Sequence, residues 1–301
     1  MSEVKDAIED IAAGSVGGVC MVIAGHPLDT LKVRMQTSGT PGAPQFTSTM
    51  DCLRQTIKNE GFWGLYKGVA SPLVGVAAMN ATLFCAYGAI KYTLNDNKPH
   101  GEKQLPILRM LLAGAETGAV VALVESPVDL IKAKMQTQYG SGSTAQYKST
   151  FDCLRQVTSQ FGIRGVYQGL GATLLRNVPA NTMYFGVYEQ ARREFANGNW
   201  NNVDKLTPLQ GFAAGGLAGI AYWIGTYPLD AIKSKMQTDA SDRSKRLYSS
   251  IADCVKQTYR TSGINGFYKG FGVCMLRAFP ANGACFLGYE TAKKFLVSSE
   301  H

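Results

Sequence analysis

Apolar residues gather along the chain in six stretches, and two of these, Val69 to Ile90 and Leu206 to Leu229, contain no Asp, Glu, Lys or Arg. Each has roughly the 20 residues that an α-helix needs to cross a bilayer. The other four carry some polarity. Ile11 to Gly25 is short before its proline, Leu111 to Val128 holds Glu116 and Glu125, and the stretches from Leu170 and Phe271 hold Arg176 and Arg277. The pattern predicts an all-α membrane protein whose helices come in pairs.

The pairs are copies of one unit. Pro27-Leu28-Asp29-Thr30-Leu31-Lys32-Val33-Arg34-Met35-Gln36 recurs as Pro127-Val128-Asp129-Leu130-Ile131-Lys132-Ala133-Lys134-Met135-Gln136 and as Pro228-Leu229-Asp230-Ala231-Ile232-Lys233-Ser234-Lys235-Met236-Gln237. A second block begins Asp51-Cys52, Asp152-Cys153 and Asp253-Cys254, and leads to Tyr66-Lys67-Gly68, Tyr167-Gln168-Gly169 and Tyr268-Lys269-Gly270. Three repeats, 1–100, 101–200 and 201–301, therefore tile the chain as one integral domain. Equivalent repeats share one topology, so the expectation is six transmembrane helices in three tandem pairs. Gly14 and Gly18, Gly114 and Gly118, and Gly215 and Gly219 repeat a GxxxG spacing that lets helices pack closely in lipid. Cys52, Cys153 and Cys254 recur with the repeat and read as structural.

Charge adds an orientation. Only 17% of residues are charged, against about 25% in soluble chains. The loops 32–68, 132–169 and 233–270 carry net charges of +3, +4 and +5, whereas 1–12, 88–109, 189–207 and 290–301 together carry −1. By the positive-inside tendency the three loops face the negative compartment and both termini face the other side. Basic charge spread over three loops, with no binding motif, gives no nucleic-acid surface. Seven cysteines without a CxxC pair give no secreted disulfide framework. No nucleophile–base pair, metal cluster or phosphate loop points to an enzyme, a cofactor or a metal.

The repeated Pro/Asp/Lys block carries candidate chemistry. Proline within a long helix removes a hydrogen bond and bends it, and Asp and Lys three residues apart share a face. Asp29 can pair with Lys132, Asp129 with Lys233 and Asp230 with Lys32, closing a cavity on the positive-loop side, and Gln36, Gln136 and Gln237 one turn on can brace them. The alternative is that each Asp pairs with its own Lys. At the other ends lie Tyr87-Gly88-Ala89-Ile90-Lys91, Tyr188-Glu189-Gln190-Ala191-Arg192 and Tyr289-Glu290-Thr291-Ala292-Lys293. Here Glu189 can meet Lys293 and Glu290 can meet Lys91, while Gly88 leaves Arg192 without its repeat-related acid. The alternative for this layer is simple anchoring of helix ends. Two such layers around a midplane site are what alternating access requires.

These blocks, the aromatic-Lys-Gly element and the aromatic-acid-x-x-base ends resemble the mitochondrial carrier family across essentially the full chain. The resemblance implies a pseudo-threefold six-helix barrel in the inner membrane, short matrix-side surface helices and termini toward the intermembrane space. It makes the two charged layers matrix and cytoplasmic gates around one central substrate site. The implied partners are a small-molecule substrate and the lipid bilayer, with cardiolipin a candidate lipid, and a monomer is expected. Three positions depart from the pattern: Phe161 and Ser262 stand where the first repeat has Glu60, and Gln168 stands where a base is usual.

Substrate choice belongs where the repeats differ, in the column Gly75, Arg176, Arg277. Arginine facing lipid is costly, and its guanidinium can hold a carboxylate or phosphate through two hydrogen bonds. The alternative is an arginine satisfied by helix carbonyls. Asn80, Asn181 and Asn282 share one repeat position, which helix packing explains. Gly25 to Thr30 and Arg277 to Leu287 resemble the carnitine/acylcarnitine carriers and their basic amino acid relatives. Those carriers follow the fourth-helix arginine with an acid, whereas Asn177 follows Arg176 here. Glu116 and Glu125, which have no repeat equivalents, are the candidates to face a substrate ammonium. The expected solute is a carboxylate-bearing zwitterion such as carnitine, an acylcarnitine or a basic amino acid. The alternatives are a dicarboxylate or keto acid carrier and a non-transporting structural membrane subunit. No Arg-Arg-Arg-Met-Met-Met run follows Lys233, so ADP/ATP exchange is not expected.

Overall fold

The computed structural model describes residues 2–41, 43–94, 107–139, 145–196 and 207–298. Among them every regular element is helical. The long helices are α1 (Ser2–Thr37), α3 (Ala70–Leu94), α4 (Ile107–Thr137), α6 (Leu170–Phe195), α7 (Pro208–Thr238) and α10 (Phe271–Ser298). Between them lie the shorter α2 (Thr49–Glu60), α5 (Thr150–Val166), α8 (Ile251–Ser262) and α9 (Asn265–Tyr268). By length and apolarity, two segments suffice to cross a membrane, Leu108–Thr137 and Asn265–Phe295, and a third does so if Phe62–Val76 and Ala81–Ile90 count as one span. The charge-free stretch in α7 is not among them. Glycine, tyrosine and tryptophan fill it, and lack of charge does not make such residues strongly apolar.

Contacts group the chain into two compact units. Met1–Ala78, Pro127–Gln168 and Ser234–His301 form the first, Met79–Ser126 and Gly169–Lys233 the second. In the first, α1 lies along α10, with Gly17 so close that a Cβ there would stand 2.8 Å from the Cys285 carbonyl oxygen. In the second, Gly114 and Gly118 bring α4 onto α6, where a Cβ would meet the Asn181 and Asn177 carbonyl oxygens at 2.9 and 2.5 Å. The GxxxG spacing is thus used differently in each repeat. Gly14, Gly215 and Gly219 have nothing among the described residues within 4 Å of a built Cβ.

The three loops share one local design. Ser48, Ser149 and Ser250 cap α2, α5 and α8, each accepting the N–H of Asp51, Asp152 or Asp253 at 3.1 Å. Those aspartates accept in return from the backbone of Thr47, Lys148 and Ser249 at 3.0, 2.9 and 3.0 Å. The Gln55 amide, followed by the Thr47 backbone, holds the Asp51 carboxyl below the usual range, and the backbone bonds, followed by the Gln156 and Gln257 amides, do so for Asp152 and Asp253. Such reciprocal bonding satisfies donors that a helix start leaves open. Cys52, Cys153 and Cys254 are fully buried beneath these helices. Cys52 packs with Leu31 and Met35 of α1, Cys153 with Leu130, Ile131 and Met135 of α4.

The anchor below each loop differs, as the departures at Phe161, Ser262 and Gln168 foreshadow. In the first repeat Arg34 donates to both Glu60 oxygens at 2.8 Å and to Thr56 at 2.9 Å, and Lys67 adds a 2.6 Å ion pair. In the second, Lys134 donates to the Asp239 carbonyl at 2.8 Å, and Gln168 reaches the Met236 and Asp239 carbonyls at 3.0 Å. In the third, Lys235 donates to the Thr258 hydroxyl at 3.0 Å.

Burial pushes the thiols of Cys52, Cys153 and Cys254 up to about 11, about 12 and about 11. Only the thiolate reacts. At pH 8 in the folded protein these three are therefore expected to take up maleimide at least ~100-fold more slowly than after denaturation. Equal rates in the two states, read by mass spectrometry, would contradict the packing of the loop helices.

Candidate substrate site and ion-pair layers

Asp29 follows Pro27 within α1 and is 9% exposed. Two cations from other helices meet it. Lys132 of α4 donates to its Oδ2 at 2.7 Å, and Arg277 of α10 lies against its Oδ1 as an ion pair, though not aligned as a hydrogen bond. Gly25 makes room for Arg277, since a Cβ at that position would stand 3.2 Å from the guanidinium Nε. The pairing of Asp29 thus runs between helices. Gln136 sits one turn beyond Lys132 and reaches Thr30 at 3.0 Å and the His26 ring at 3.4 Å, so it braces the neighbouring helix and not the ion pair itself. Gln36 accepts from Ser234 at 2.7 Å, and Gln237 is buried.

The second unit holds a different cluster. Glu125 of α4 accepts from Arg176 and Asn177 of α6 at 2.6 Å each, and from Lys233 of α7 at 2.8 Å. Arg176 also donates to the Tyr222 hydroxyl and has Asp230 3.7 Å from its Nε. Neither arginine rests on helix carbonyls alone. Arg176 and Arg277 each face the aspartate of the following repeat's Pro/Asp turn, as their shared repeat position requires. Gly75, the third member of that column, is buried, and a Cβ there would meet Val128 Cγ1 at 2.7 Å, so a helix approach occupies this position.

Glu116 and Glu125 take separate roles. Nine residues at about 100° each put them on opposite faces of α4. Glu116 is exposed on the same face as the exposed Leu112, Val120 and Leu123. Asn177 is fully buried and spends its amide on Glu125, so an acid does stand beside Arg176, supplied from α4. Asn181 bonds back to the Asn177 carbonyl at 3.0 Å, Asn282 is exposed, and the side chain of Asn80 lies outside the description. Sequence reasoning did not single out Tyr222, Thr30 or Ser234. The first had a signal, a tyrosine with a polar tip inside a charge-free stretch.

At the other helix ends Tyr87 stacks on Phe185 with centroids 3.9 Å apart. Arg192 lies 5.5 Å over the Tyr188 ring, and Lys293 lies 5.7 Å over Tyr289. Glu189 is buried and Glu290 exposed, while the side chain of Lys91 lies outside the description. Lys32, Asp129 and Asp230 all have partners. Among the described residues no cluster of His, Cys, Asp or Glu is arranged to hold a metal.

The chain matches the family model described as "Mitochondrial carrier protein" three times, over residues 3–98, 103–199 and 204–300. It is 40% identical to the human mitochondrial carnitine/acylcarnitine carrier protein over 292 residues, 96% of this chain and 94% of that protein. A mitochondrial carnitine/acylcarnitine carrier-like protein of Arabidopsis thaliana is 37% identical over 304 residues, 97% of this chain and 99% of that one. Protein dif-1 of Caenorhabditis elegans is 39% identical over 293 residues, 95% of this chain and 91% of that protein.

Two buried cations converge on Glu125, so its removal strands both. Glu125→Gln is expected to destabilise the purified protein by about 3–5 kcal/mol, read by thermal unfolding in detergent. Asn177→Asp alone also destabilises, because two carboxylates then face each other. The double variant recovers most of the loss, since one carboxylate again faces both cations. Losses that simply add would rule out a shared cluster.

Proposed function

The chain belongs to the mitochondrial carrier family and is an inner-membrane solute transporter, and from that premise we propose that it exchanges carnitine and acylcarnitines by alternating access. The observation that carries the substrate reading is the charge at Asp29. Two cations, Lys132 and Arg277, face this one carboxylate. A surplus positive charge therefore stands at Arg277, where a solute carboxylate gains a charge-assisted contact. Glu125 is already held by three donors. A trimethylammonium group, which donates no hydrogen bond and is attracted to aromatic faces, suits this arrangement better than the ammonium of a basic amino acid. A dicarboxylate or keto acid remains the alternative, favoured by the presence of two arginines, and a non-transporting membrane subunit is the third.

The architecture behind this reading is six spans in three repeats, 1–100, 101–200 and 201–301, closed as a pseudo-threefold barrel around a central site. Asp29–Lys132, with Asp129–Lys233, Asp230–Lys32 and the glutamines Gln36, Gln136 and Gln237, forms the matrix gate. Glu189–Lys293, Glu290–Lys91, Arg192 and the tyrosines Tyr87, Tyr188 and Tyr289 form the cytoplasmic gate. A solute carboxylate that takes Arg277 removes one of the two cations on Asp29, which weakens the matrix gate at the moment the site is filled. The protein works as a monomer in the bilayer, with cardiolipin as a candidate lipid.

Exchange in liposomes across a panel of solutes tests the assignment. Carnitine counter-exchange is expected, and Arg277→Ala is expected to lower its efficiency by about 10–100-fold through loss of roughly 1.5–3 kcal/mol. Asp29→Lys should stop exchange, and added Lys132→Asp should restore part of it, incompletely because Arg277 also faces residue 29. Background carnitine uptake together with Arg277-dependent dicarboxylate exchange would replace the substrate. The orientation, with both termini toward the intermembrane space, is read separately. In a cysteine-free background, a single cysteine at Ser2 should react with an impermeant maleimide in outer-membrane-stripped mitochondria, and one at Ser141 should not. The reverse pattern inverts the topology.

A further inference from the structure

The loop ends of α1, α4 and α7 surround a cavity of about 260 Å³ within the first unit. It is lined by Thr37, Thr137 and Thr238, which are one repeat position, and by Tyr139, Lys235 and Lys245. The three threonine hydroxyls donate to carbonyls one turn back on their own helices, at 2.9, 2.9 and 2.8 Å, and can turn to another acceptor. The Tyr139 hydroxyl is enclosed within the cavity wall beside the Thr37 hydroxyl.

Lys235 gives the cavity its character. It is 8% exposed, and its ammonium has a single neutral partner, the Thr258 hydroxyl. Its counterpart Arg34 makes the equivalent contact with Thr56 but is neutralised by Glu60, the residue replaced by Ser262 in the third repeat. Among the described residues no carboxylate pairs with Lys235, and Lys269 beside it adds positive charge. The nearby Asp239 carboxylate is turned into its own loop, where it accepts the N–H groups of Ala240, Leu247 and Tyr248 at 2.8 to 3.1 Å. A buried ammonium without a counter-charge is costly, and the cavity wall combines hydroxyls and Lys245 with Asp239, whose carboxylate is held by its own loop, and the apolar Pro41, Ala43 and Leu247.

We propose that this cavity binds a small oxyanion, a phosphate or carboxylate group, whose charge supplies for Lys235 what Glu60 supplies for Arg34. The site lies on the positive-loop side, beyond the Asp29 cluster along α1, so its occupant regulates stability or exchange without being the transported solute. The phosphate group can come from a free anion or from a phospholipid head.

The test uses the purified full-length protein in detergent, with inorganic phosphate titrated against chloride at constant ionic strength. Millimolar phosphate is expected to raise the unfolding midpoint saturably by about 2–4 °C. Lys235→Met removes the response to phosphate. Ser262→Glu raises the midpoint in chloride and weakens the response at least ~10-fold by placing the repeat-related acid near Lys235. Lys245→Met, at an exposed position, keeps the fold and weakens the response several-fold. A Lys235-dependent shift with cardiolipin but none with phosphate assigns the site to a lipid head. An equal shift with chloride, or a phosphate response that survives both Lys235→Met and Lys245→Met, overturns the proposal.

Discussion

The buried carboxylates of Asp29 and Glu125 each meet opposite charge from other helices, and this condition organises the long helices around them. A carboxylate taken out of water loses several kcal/mol of solvation, which Coulomb attraction returns only in good geometry. Asp29 meets the condition with two cations and Glu125 with two cations and an amide. Each cluster draws its members from three helices. Pro27, Pro127 and Pro228 of the repeated block lie within these helices, two residues before Asp29, Asp129 and Asp230.

Repetition made much of this legible in the sequence. The loop blocks and their cysteines recur three times, and chance does not produce three aligned copies of Asp-Cys. The interhelical partner of Asp29 followed from the same symmetry. What escaped the sequence was whatever breaks the symmetry. Glu125 has Gly25 and Thr226 as its equivalents, so nothing in the repeat said which cation it would meet, and its three partners lie 51, 52 and 108 residues away. The separation of Glu116 from Glu125 was available from helical periodicity alone. The ranking of apolar stretches went astray because charge was counted while the weak apolarity of glycine and tyrosine was not.

Close helix approach is the other organising constraint, and it too is asymmetric. Gly114 and Gly118 let α4 touch the backbone of α6, while in the first repeat the tight contact passes to Gly17 against α10. Within the spacing motif itself, Gly18 of the first repeat meets Val76 of α3, where a Cβ would stand 3.0 Å from its Cγ1. Conserved-looking spacing fixes where a helix can approach, and the neighbour's shape decides whether it does.

The double occupancy of Asp29 ties two thermodynamic quantities together. If Arg277 serves the gate and the solute in turn, each weakens the other's hold by the same factor, because coupling between binding events is reciprocal. A tighter closed gate then means a lower apparent affinity, and a solute that binds too well at Arg277 holds the gate open and cycles slowly. Turnover is fastest at an intermediate grip. Ranking solutes by affinity would therefore not rank them by flux.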